Sequence, residues 1–263
     1  MIEGLVSVIV PAYNCEKFIG ETIASVLAQT YQNWEMIIVD DCSSDNTREI
    51  ILDSAKKDSR IKYYFLQNNS GAAVARNTAM EQAEGEYMAF LDSDDVWLPE
   101  KLEKQLNFMR DNNVAFSATS YELIDEKSRP LGRMRVARPK TDYQRMLYSN
   151  VLGNSTVMYD VGKLGKFKIP DIRKRNDYVL WLAILKKEKY AVGMPEILMQ
   201  YRVRKQSLSS NKFGLIKYHW HIYRNIEKIS FIYSLYYTAC LCTSKLLGHL
   251  VAKQSKCRAI MES

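Results

Sequence analysis

The chain has 263 residues, of which 47% are hydrophobic and 25% are charged, a composition typical of a globular protein large enough for one α/β domain. No basic segment followed by an apolar run precedes the first predicted strand, so we expect no signal peptide. Five cysteines, an odd number without a CxxC pair, argue against a disulfide framework and against a thiolate zinc site.

The net charge of +7 is unevenly distributed along the chain. Residues 1–110 contain 10 Lys and Arg against 18 Asp and Glu, residues 111–210 contain 19 against 10, and residues 211–263 contain 8 against 2. An acidic part is therefore followed by a basic part, which suits an acidic partner. A phosphorylated ligand, an anionic membrane surface and nucleic acid all fit that description.

The first 110 residues alternate apolar runs of strand length with helical patterns. Strands are predicted over residues 5–11, 35–40, 61–66 and 87–91, and Pro11 is expected to end the first of them. Helices are predicted over residues 18–29, from residue 44 onward, and over residues 71–83 and 102–109. This order predicts an α/β fold with a Rossmann-like, mostly parallel sheet and helices on both faces.

The pattern changes from residue 114. Strands are predicted over residues 114–124 and 155–159, a basic loop with two prolines over residues 129–140, and an apolar helix over residues 178–187. Residues 229–244 contain no charged side chain but are bordered by basic residues. This run is shorter than the roughly 20 apolar residues of a membrane span, which favours a helical tail lying on a membrane surface. The alternative is a helix packed on the rest of the chain or on a second copy.

Carboxylates follow the fourth predicted strand. Asp92, Asp94 and Asp95 come directly after residues 87–91, at the strand end where open α/β sheets bind ligands. Three crowded acids repel one another unless a cation lies between them, and Mg²⁺ or Mn²⁺ accepts carboxylate, water and phosphate oxygens together. The alternative is that Asp95 caps the next helix and the other two acids are solvated.

Polar or aromatic residues also follow the other strands. Tyr13 could offer an aromatic face to a base, although a core tyrosine is the alternative. Asp40 and Asp41 suit a ribose hydroxyl or an imide N–H, although a helix cap from the same loop is the alternative. Arg76 lies one turn into a helix that begins with a glycine, where it can face a phosphate or the carboxylates.

Taken together, these strand ends resemble family 2 glycosyltransferases. The matching segments are residues 8–14 (VIVPAYN), 29–31 (QTY), 39–45 (VDDCSSD), 71–77 (GAAVARN) and 90–95 (FLDSDD). The resemblance covers roughly residues 4–205. It implies the GT-A fold, with a nucleotide-sugar half over residues 1–110, an acceptor and catalytic-base half over residues 111–210, and the tail over residues 211–263.

The resemblance also implies roles for single residues. Tyr13 and Asp41 would hold the nucleobase, with Asp40 alongside, and Arg76 would hold the acids and the sugar-phosphate in position. Asp92, Ser93 and Asp94 match the DXD motif, in which Asp94 contacts the metal (Mn²⁺ or Mg²⁺) and Asp92 contacts the ribose or the metal. The predicted nucleotide-sugar contacts are Pro11, Tyr13, Asn14, Asp40, Asp41, Arg76, Asp92, Ser93 and Arg202.

The second half is expected to supply the catalytic base. Asp177, before an aromatic-rich apolar stretch, matches the family's base, while the preceding residue, commonly an acid in the family, is Asn176 here. That change is expected to reduce repulsion at Asp177; helix capping by Asp177 is the alternative. Arg202 resembles a residue that closes over the diphosphate, whereas Arg204 and Lys205 are expected only to be solvated.

The implied function is inverting transfer of a sugar from a UDP-sugar to a glycan acceptor linked to a polyprenyl diphosphate, in bacterial surface polysaccharide synthesis. The enzyme is expected in the cytoplasm, on the inner face of the plasma membrane. The alternatives are a non-catalytic protein of the same fold, another nucleotide-sugar donor, a soluble acceptor, or a tail that forms a homodimer. The chain lacks GxGxxG after its first strand, GxxxxGK[ST], GxSxG and any RRM or finger pattern, so we expect no dinucleotide, P-loop, hydrolase or nucleic-acid site.

Overall fold

The computed structural model describes residues 1–204 and 214–243. These residues belong to two compact units, one made of residues 1–143 and 151–204 and the other of residues 144–150 and 214–243. The first unit contains every predicted site residue. The predicted division into halves at residue 110 and a tail from residue 211 stays a prediction.

The first unit begins with the predicted alternation of strands and helices. Its first strands are β1 (Ile2–Ala12), β2 (Trp34–Asp40), β3 (Ile61–Phe65), β4 (Gly85–Phe90) and the short β5 (Val96–Trp97). The helices between and after them are α1 (Ile19–Leu27), α2 (Thr47–Lys57), α3 (Ala72–Gln82) and α4 (Lys101–Asp111).

The remaining elements are shorter and less regular. The strands are β6 (Phe116–Ile124), β7 (Pro130–Arg135), β8 (Lys140–Thr141), β9 (Val157–Asp160) and β10 (Ala191–Arg202). The helices are α5 (Tyr143–Tyr148), which leads into the second unit, α6 (Val161–Leu164) and α7 (Asn176–Leu185), and one turn of 3₁₀ helix (Asn154–Thr156) precedes β9.

One mixed sheet runs through the first unit in the order β3-β2-β1-β4-β9-β6-β10-β5. The strands β3, β2, β1 and β4 are parallel, as predicted, and β6 is parallel to β10. Strand β9 is antiparallel to both β4 and β6, so it joins the two parallel sets. The carboxyl ends of β1, β2 and β4 therefore lie at one edge, where the predicted site residues follow them.

Helices cover both faces of the sheet, as predicted. On one face the alternate residues Val6, Val8 and Val10 of β1 share an apolar cluster with residues from α1, α2 and α4. On the other face Phe90 of β4 contacts the ring of Trp181 in α7 edge to face, with 5.0 Å between ring centroids. Because side chains alternate along a strand, both faces of each of these strands are buried. This explains their nearly continuous apolar runs.

Two predictions are wrong, one about the end of a strand and one about a loop. Pro11 does not end β1, because it continues in register with Val39 of β2. The Ile9 carbonyl accepts from Leu91, and Pro11 points the same way two residues later, beyond the end of β4, so its missing N–H interrupts no ladder. Residues 129–140 are not a loop either, because β7 pairs with β6 and β8 pairs with β10.

The second unit is helical. It contains α8 (Ile216–His221), a π-helical turn (Ile222–Ile226) and a helix over residues 231–243. In that last helix Tyr237 faces inward and its hydroxyl donates to Gln144 (2.9 Å), whereas Ile232, Leu235 and Tyr236 face outward and are exposed. Within the described residues no helix has the length and apolar character needed to span a membrane.

Candidate active site

The loop after β4 holds the three carboxylates, and Asp95 is the most deeply buried of them. One Asp95 oxygen accepts from the Ser155 hydroxyl (2.5 Å) and the other accepts from the backbone N–H of Arg202 (2.9 Å). The Asp95 carbonyl accepts from the Thr22 hydroxyl (2.9 Å). Asp95 therefore joins three segments of the chain. The alternative that it caps a helix is wrong, because α4 begins only at Lys101.

Asp92 opens to solvent, with 37% of its side chain exposed. Its carboxylate accepts from Asn154 Nδ2 (2.7 Å) and from Arg76 Nη2 (3.2 Å), and its backbone N–H donates to the Ser155 hydroxyl (3.0 Å). Neither Asn154 nor Ser155 is predicted from the sequence as a site residue. The available signal was weak: two polar residues at the start of the predicted strand over residues 155–159.

Asp94 forms an ion pair with Arg204, whose Nε lies 2.7 Å from Asp94 Oδ2. Arg204 was expected only to be solvated, and the structure corrects that expectation, because the start of the loop after β10 brings it beside the acid loop. Lys205 and residues 206–209 of the same predicted segment lie outside the described residues.

Arg202 has a different position from the one predicted. It is only 2% exposed, and its guanidinium donates to the carbonyl oxygens of Asp94 (2.8 Å) and Asp125 (3.1 Å) and to the Ser128 hydroxyl (2.9 Å). It also pairs with Glu21, at 2.6 Å. These partners occupy the group expected to close over a diphosphate, so we correct the assignment: Arg202 positions the acid loop, and Arg204 is the cation beside Asp94.

Desolvation and mutual repulsion leave the acid loop with negative charge that its cations do not fully offset. Desolvation, together with the charges of Asp94 and Asp177, raises the pKa of Asp92 to about 6, although Arg76 acts in the opposite direction. Desolvation also raises the pKa of Asp94, and with the charges of Asp94 and Asp92 it raises the pKa of Asp95 well above its ordinary value.

The donor atoms of this loop fit a hard divalent cation. Asp92 and Asp94 offer carboxylate oxygens, which Mg²⁺ and Mn²⁺ accept, and the uncompensated charge favours a cation. Over residues 1–204 and 214–243, no three acid, His or Cys side chains are grouped so as to enclose a metal. A cation here would therefore use one or two carboxylates and take its other ligands from water and phosphate, as Mg²⁺ often does.

Asp40 is the last residue of β2 and Asp41 follows it, next to the end of β1, and both are buried. The two oxygens of Asp41 accept from the N–H groups of Ser70 and Gly71, each at 2.7 Å. Asp40 accepts from the hydroxyl and the backbone N–H of Ser43. Both acids therefore hold neighbouring loops in place, and a direct contact with a ligand stays a prediction.

Tyr13 directly follows β1 and is exposed, with 49% of its surface accessible, so it is not a core tyrosine. Pro11 is half-buried at the end of β1 and Asn14 has a left-handed backbone (φ 43°), so the chain turns sharply around Tyr13. Ser93 hydrogen-bonds the Cys15 thiol, whose pKa is raised mainly by burial. The DXD segment is thus tied to the loop that presents Tyr13.

The predicted base lies next to the acid loop. Arg76 is buried, and while its Nη2 contacts Asp92, its Nη1 donates to the side-chain oxygen of Asn176, the first residue of α7. Asp177 follows in the first turn of α7, and its charge contributes to the raised pKa of Asp92. The helix-cap alternative for Asp177 is wrong, since α7 begins one residue earlier, after Arg175.

The comparisons with known proteins agree on one family. Residues 7–169 match the family model described as glycosyl transferase family 2. Among curated proteins, the chain is 48% identical to the putative teichuronic acid biosynthesis glycosyltransferase TuaG of Bacillus subtilis, covering 87% of this chain and 90% of that protein. It is 44% identical to the UDP-Glc:alpha-D-GlcNAc-diphosphoundecaprenol beta-1,3-glucosyltransferase WfgD of Escherichia coli, covering 84% and 86%.

Solved structures show the fold. The chain resembles Staphylococcus aureus TarS 1–349 in complex with UDP-GlcNAc, with a TM-score of 0.68 and 23% identity over 84% of this chain and 66% of that one. It also resembles the mannosyltransferase PcManGT of Pyrobaculum calidifontis in complex with GDP-Man and Mn²⁺, with a TM-score of 0.63 and 17% identity over 95% and 79%. These likenesses confirm the predicted GT-A fold.

Proposed function

Because the chain belongs to glycosyl transferase family 2, we propose that it moves a sugar from a UDP-sugar to a hydroxyl of a lipid-linked glycan, with inversion at the anomeric carbon. The observation that carries this proposal is the position of Arg76, which contacts both Asp92 and Asn176. Asp177 follows Asn176 in the first turn of α7, which supports its role as the base beside the acids of the DXD motif.

The donor would lie along the carboxyl ends of β1, β2 and β4. The exposed ring of Tyr13 would stack on the uracil base, beside the loops held by Asp40 and Asp41. UDP as the nucleotide carrier is supported by the name of WfgD, which specifies UDP-Glc, and by the fold shared with TarS bound to UDP-GlcNAc.

The departing diphosphate develops negative charge, and the groups beside it would offset that charge. Asp92 and Asp94 would hold Mn²⁺ or Mg²⁺, which supplies electrostatic stabilisation of the diphosphate when it is bound. Arg204 pairs with Asp94 in this structure. Beside the diphosphate, Arg204 would supply a second positive group that can bind a phosphate oxygen.

Asp177 would remove the proton from the acceptor hydroxyl as that oxygen attacks the anomeric carbon. In-line attack requires the acceptor on the face of the sugar opposite the diphosphate, and Asp177, in the first turn of α7, would meet the acceptor hydroxyl there. Arg76 fixes the start of α7 through Asn176. Because Arg76 also contacts Asp92, it would hold the candidate base and the DXD acids in a fixed arrangement.

The acceptor and the location rest on relatives and on surface properties. WfgD is named for a GlcNAc-diphosphoundecaprenol acceptor, so the acceptor class we propose is a glycan on a polyprenyl diphosphate. The exposed apolar side of the helix over residues 231–243 would contact the inner face of the plasma membrane, near basic residues of the tail. A homodimer through the same side is the alternative.

The first experiment is a calorimetric titration of UDP into the protein, with Mn²⁺ and then with EDTA. We expect binding that needs the metal, and we expect Asp94→Ala to abolish the difference between the two conditions. Equal UDP affinity in both would remove the metal from the proposal. Absence of binding in either, with GDP binding instead, would replace the donor class.

A further inference from the structure

The basic hairpin, defined here as residues 125–140, is a feature of the first unit that the proposed chemistry does not use. It contains six Lys and Arg residues and two acids, and all six residues of β7 are exposed. Among the described strands, β7 pairs with β6 alone. A strand that buries no side chain gains little from the hydrophobic effect, so other contacts must hold the hairpin.

The first end of the basic hairpin is fixed by Arg202. The buried guanidinium donates to the carbonyl oxygen of Asp125 and to the Ser128 hydroxyl, and it also donates to the carbonyl oxygen of Asp94. Ser128 in turn donates to Glu21, the ion-pair partner of Arg202. The hairpin and the acid loop are therefore held by the same side chain.

The second end is fixed to β6 and β10. The Ala137 N–H donates to the Ser120 hydroxyl (2.9 Å), and that hydroxyl donates to the carbonyl oxygen of Met194 (3.0 Å). The return segment also lies so close to Gly193 that a Cβ there would overlap the carbonyl oxygen of Arg138. Glycine at position 193 is therefore a condition for this close approach.

The arginines of the basic hairpin are available to a ligand. Arg129 is paired with Asp125 at 2.7 Å. In contrast, Arg133, Arg135 and Arg138 are exposed and form no ion pair with any carboxylate in the described residues. A fixed hairpin with unpaired guanidinium groups suits a phosphate-containing ligand, because guanidinium binds phosphate oxygens in a bidentate way.

Arg135 lies on the side of the hairpin that leads to the active site. It is the cross-strand partner of Tyr121 in β6, so the two side chains share a face of the sheet. A Cβ added at Gly153 would lie 3.4 Å from the Tyr121 ring, and the next residue, Asn154, donates to the Asp92 carboxylate. Tyr121 and Gly153 therefore lie between Arg135 and the residue that supports Asp92.

We propose that Arg133 and Arg135 bind the diphosphate of the acceptor, so that the hairpin recognises the lipid-linked form of the glycan. This inference rests on the proposed function. It is supported by the charge of the hairpin and by its attachment to the acid loop through Arg202.

The test compares two acceptors that differ only in the diphosphate group: an N-acetylglucosaminyl diphosphate with a long alkyl chain, and the neutral N-acetylglucosaminide with the same chain. The double variant Arg133→Gln/Arg135→Gln removes both positive charges and leaves shorter, neutral polar side chains in their place. We expect its KM for the diphosphate acceptor to rise about tenfold or more, the effect of losing charge-assisted contacts. Its KM for the neutral acceptor and its affinity for UDP should not change.

The matched control is Lys56→Gln, which removes an exposed positive charge on α2 and should leave both KM values unchanged. An equal rise for both acceptors, or no rise for either, would overturn the proposal. So would loss of binding to phosphatidylglycerol vesicles with unchanged use of the soluble diphosphate acceptor, because it would identify a membrane contact instead.

Failure of the proposed function has a separate signature. In that case the unmodified protein transfers sugar to neither acceptor and binds no UDP in the presence of Mn²⁺. The hairpin is then tested by direct binding of a fluorescent alkyl diphosphate. Binding that the double variant loses supports the site, and equal binding by both proteins rejects it.

Discussion

The carboxylates after β4 and the arginines of β7 belong to the same sheet, yet the protein holds them in opposite ways. Asp95 is buried and both of its oxygens have fixed partners, whereas Arg133 and Arg135 are exposed and only the ends of their hairpin are anchored. The acid loop therefore depends on the integrity of the core, while the hairpin depends on a few backbone contacts. Mutations should affect the two regions in different measurements.

The largest expected effect is on the reaction itself. Asp177→Asn keeps the size of the side chain but removes its basicity, so we expect transfer to fall about 10²- to 10⁴-fold, as general base catalysis implies. UDP affinity should stay the same, because Asp177 lies on α7 and not among the residues after β1, β2 and β4 that are predicted to bind the nucleotide. The measurements are initial transfer rates and a UDP titration. Transfer at the unmodified rate would show that another group is the base.

The buried acid is expected to contribute most to stability. Asp95→Ala leaves the Ser155 hydroxyl and the Arg202 N–H without their acceptor in the core, so we expect the free energy of unfolding to fall by about 3 kcal/mol. The measurement is urea denaturation. The matched variant is Asp92→Ala, at a position where the side chain is partly exposed. Equal losses in the two variants would contradict the distinction between a supporting acid and a ligand-facing acid.

Much of this distinction is absent from the sequence. The apolar runs of β1, β2 and β4 predict buried parallel strands, and the acids after β4 are correctly expected at their carboxyl end. The sequence does not tell Asp95 from Asp92, because their difference comes from Ser155 and Arg202, which are distant in the chain and reach the loop through β9 and β10. Local spacing contains no record of such tertiary contacts.

The same limit explains the errors about the arginines. Arg202 and Arg204 are two residues apart, so both resemble a basic segment near a phosphate. Residues two apart on a strand point to the same face, but β10 ends at Arg202, so this rule does not extend to Arg204. Arg202 is buried against Glu21 and the carbonyl oxygen of Asp94, whereas Arg204, in the loop that follows, pairs with the Asp94 carboxylate. Residues 129–140 have exposed side chains like those of a loop, which conceals the strand pairing of β7.

The hairpin is expected to be sensitive at its anchors. Gly193→Ala places a Cβ where the carbonyl oxygen of Arg138 lies, so the return segment must move, at a cost of about 1–3 kcal/mol typical of overpacking. We expect a lower melting temperature and a higher KM for the diphosphate acceptor with unchanged UDP affinity. Gly20→Ala in α1 is the control, since its Cβ would make only an ordinary contact at 3.9 Å. An unchanged KM for the diphosphate acceptor in Gly193→Ala would show that acceptor recognition does not depend on the anchor at Gly193.

The last prediction concerns a buried lysine of the first unit, Lys101, and its expected effect is limited to the pH dependence of folding stability. Lys101 is fully buried at the start of α4, where its Nζ donates to Gln105 (2.7 Å) and lies 3.9 Å from the centroid of the Trp97 ring. Burial lowers the pKa of Lys101 to about 7, well below the value of about 10.4 for an unfolded chain.

Between pH 7 and roughly pH 10 the unfolded state therefore binds the Lys101 proton more strongly than the folded state does. Folding stability should rise with pH across that window, by at most about 1.4 kcal/mol per pH unit. Lys101→Met fills the same space without a charge, so it should flatten this dependence and gain most stability near pH 7. Urea denaturation of both proteins at pH 7 and pH 9 measures the difference. Parallel pH dependences would mean that Lys101 stays charged in the core, held by the Trp97 ring and Gln105.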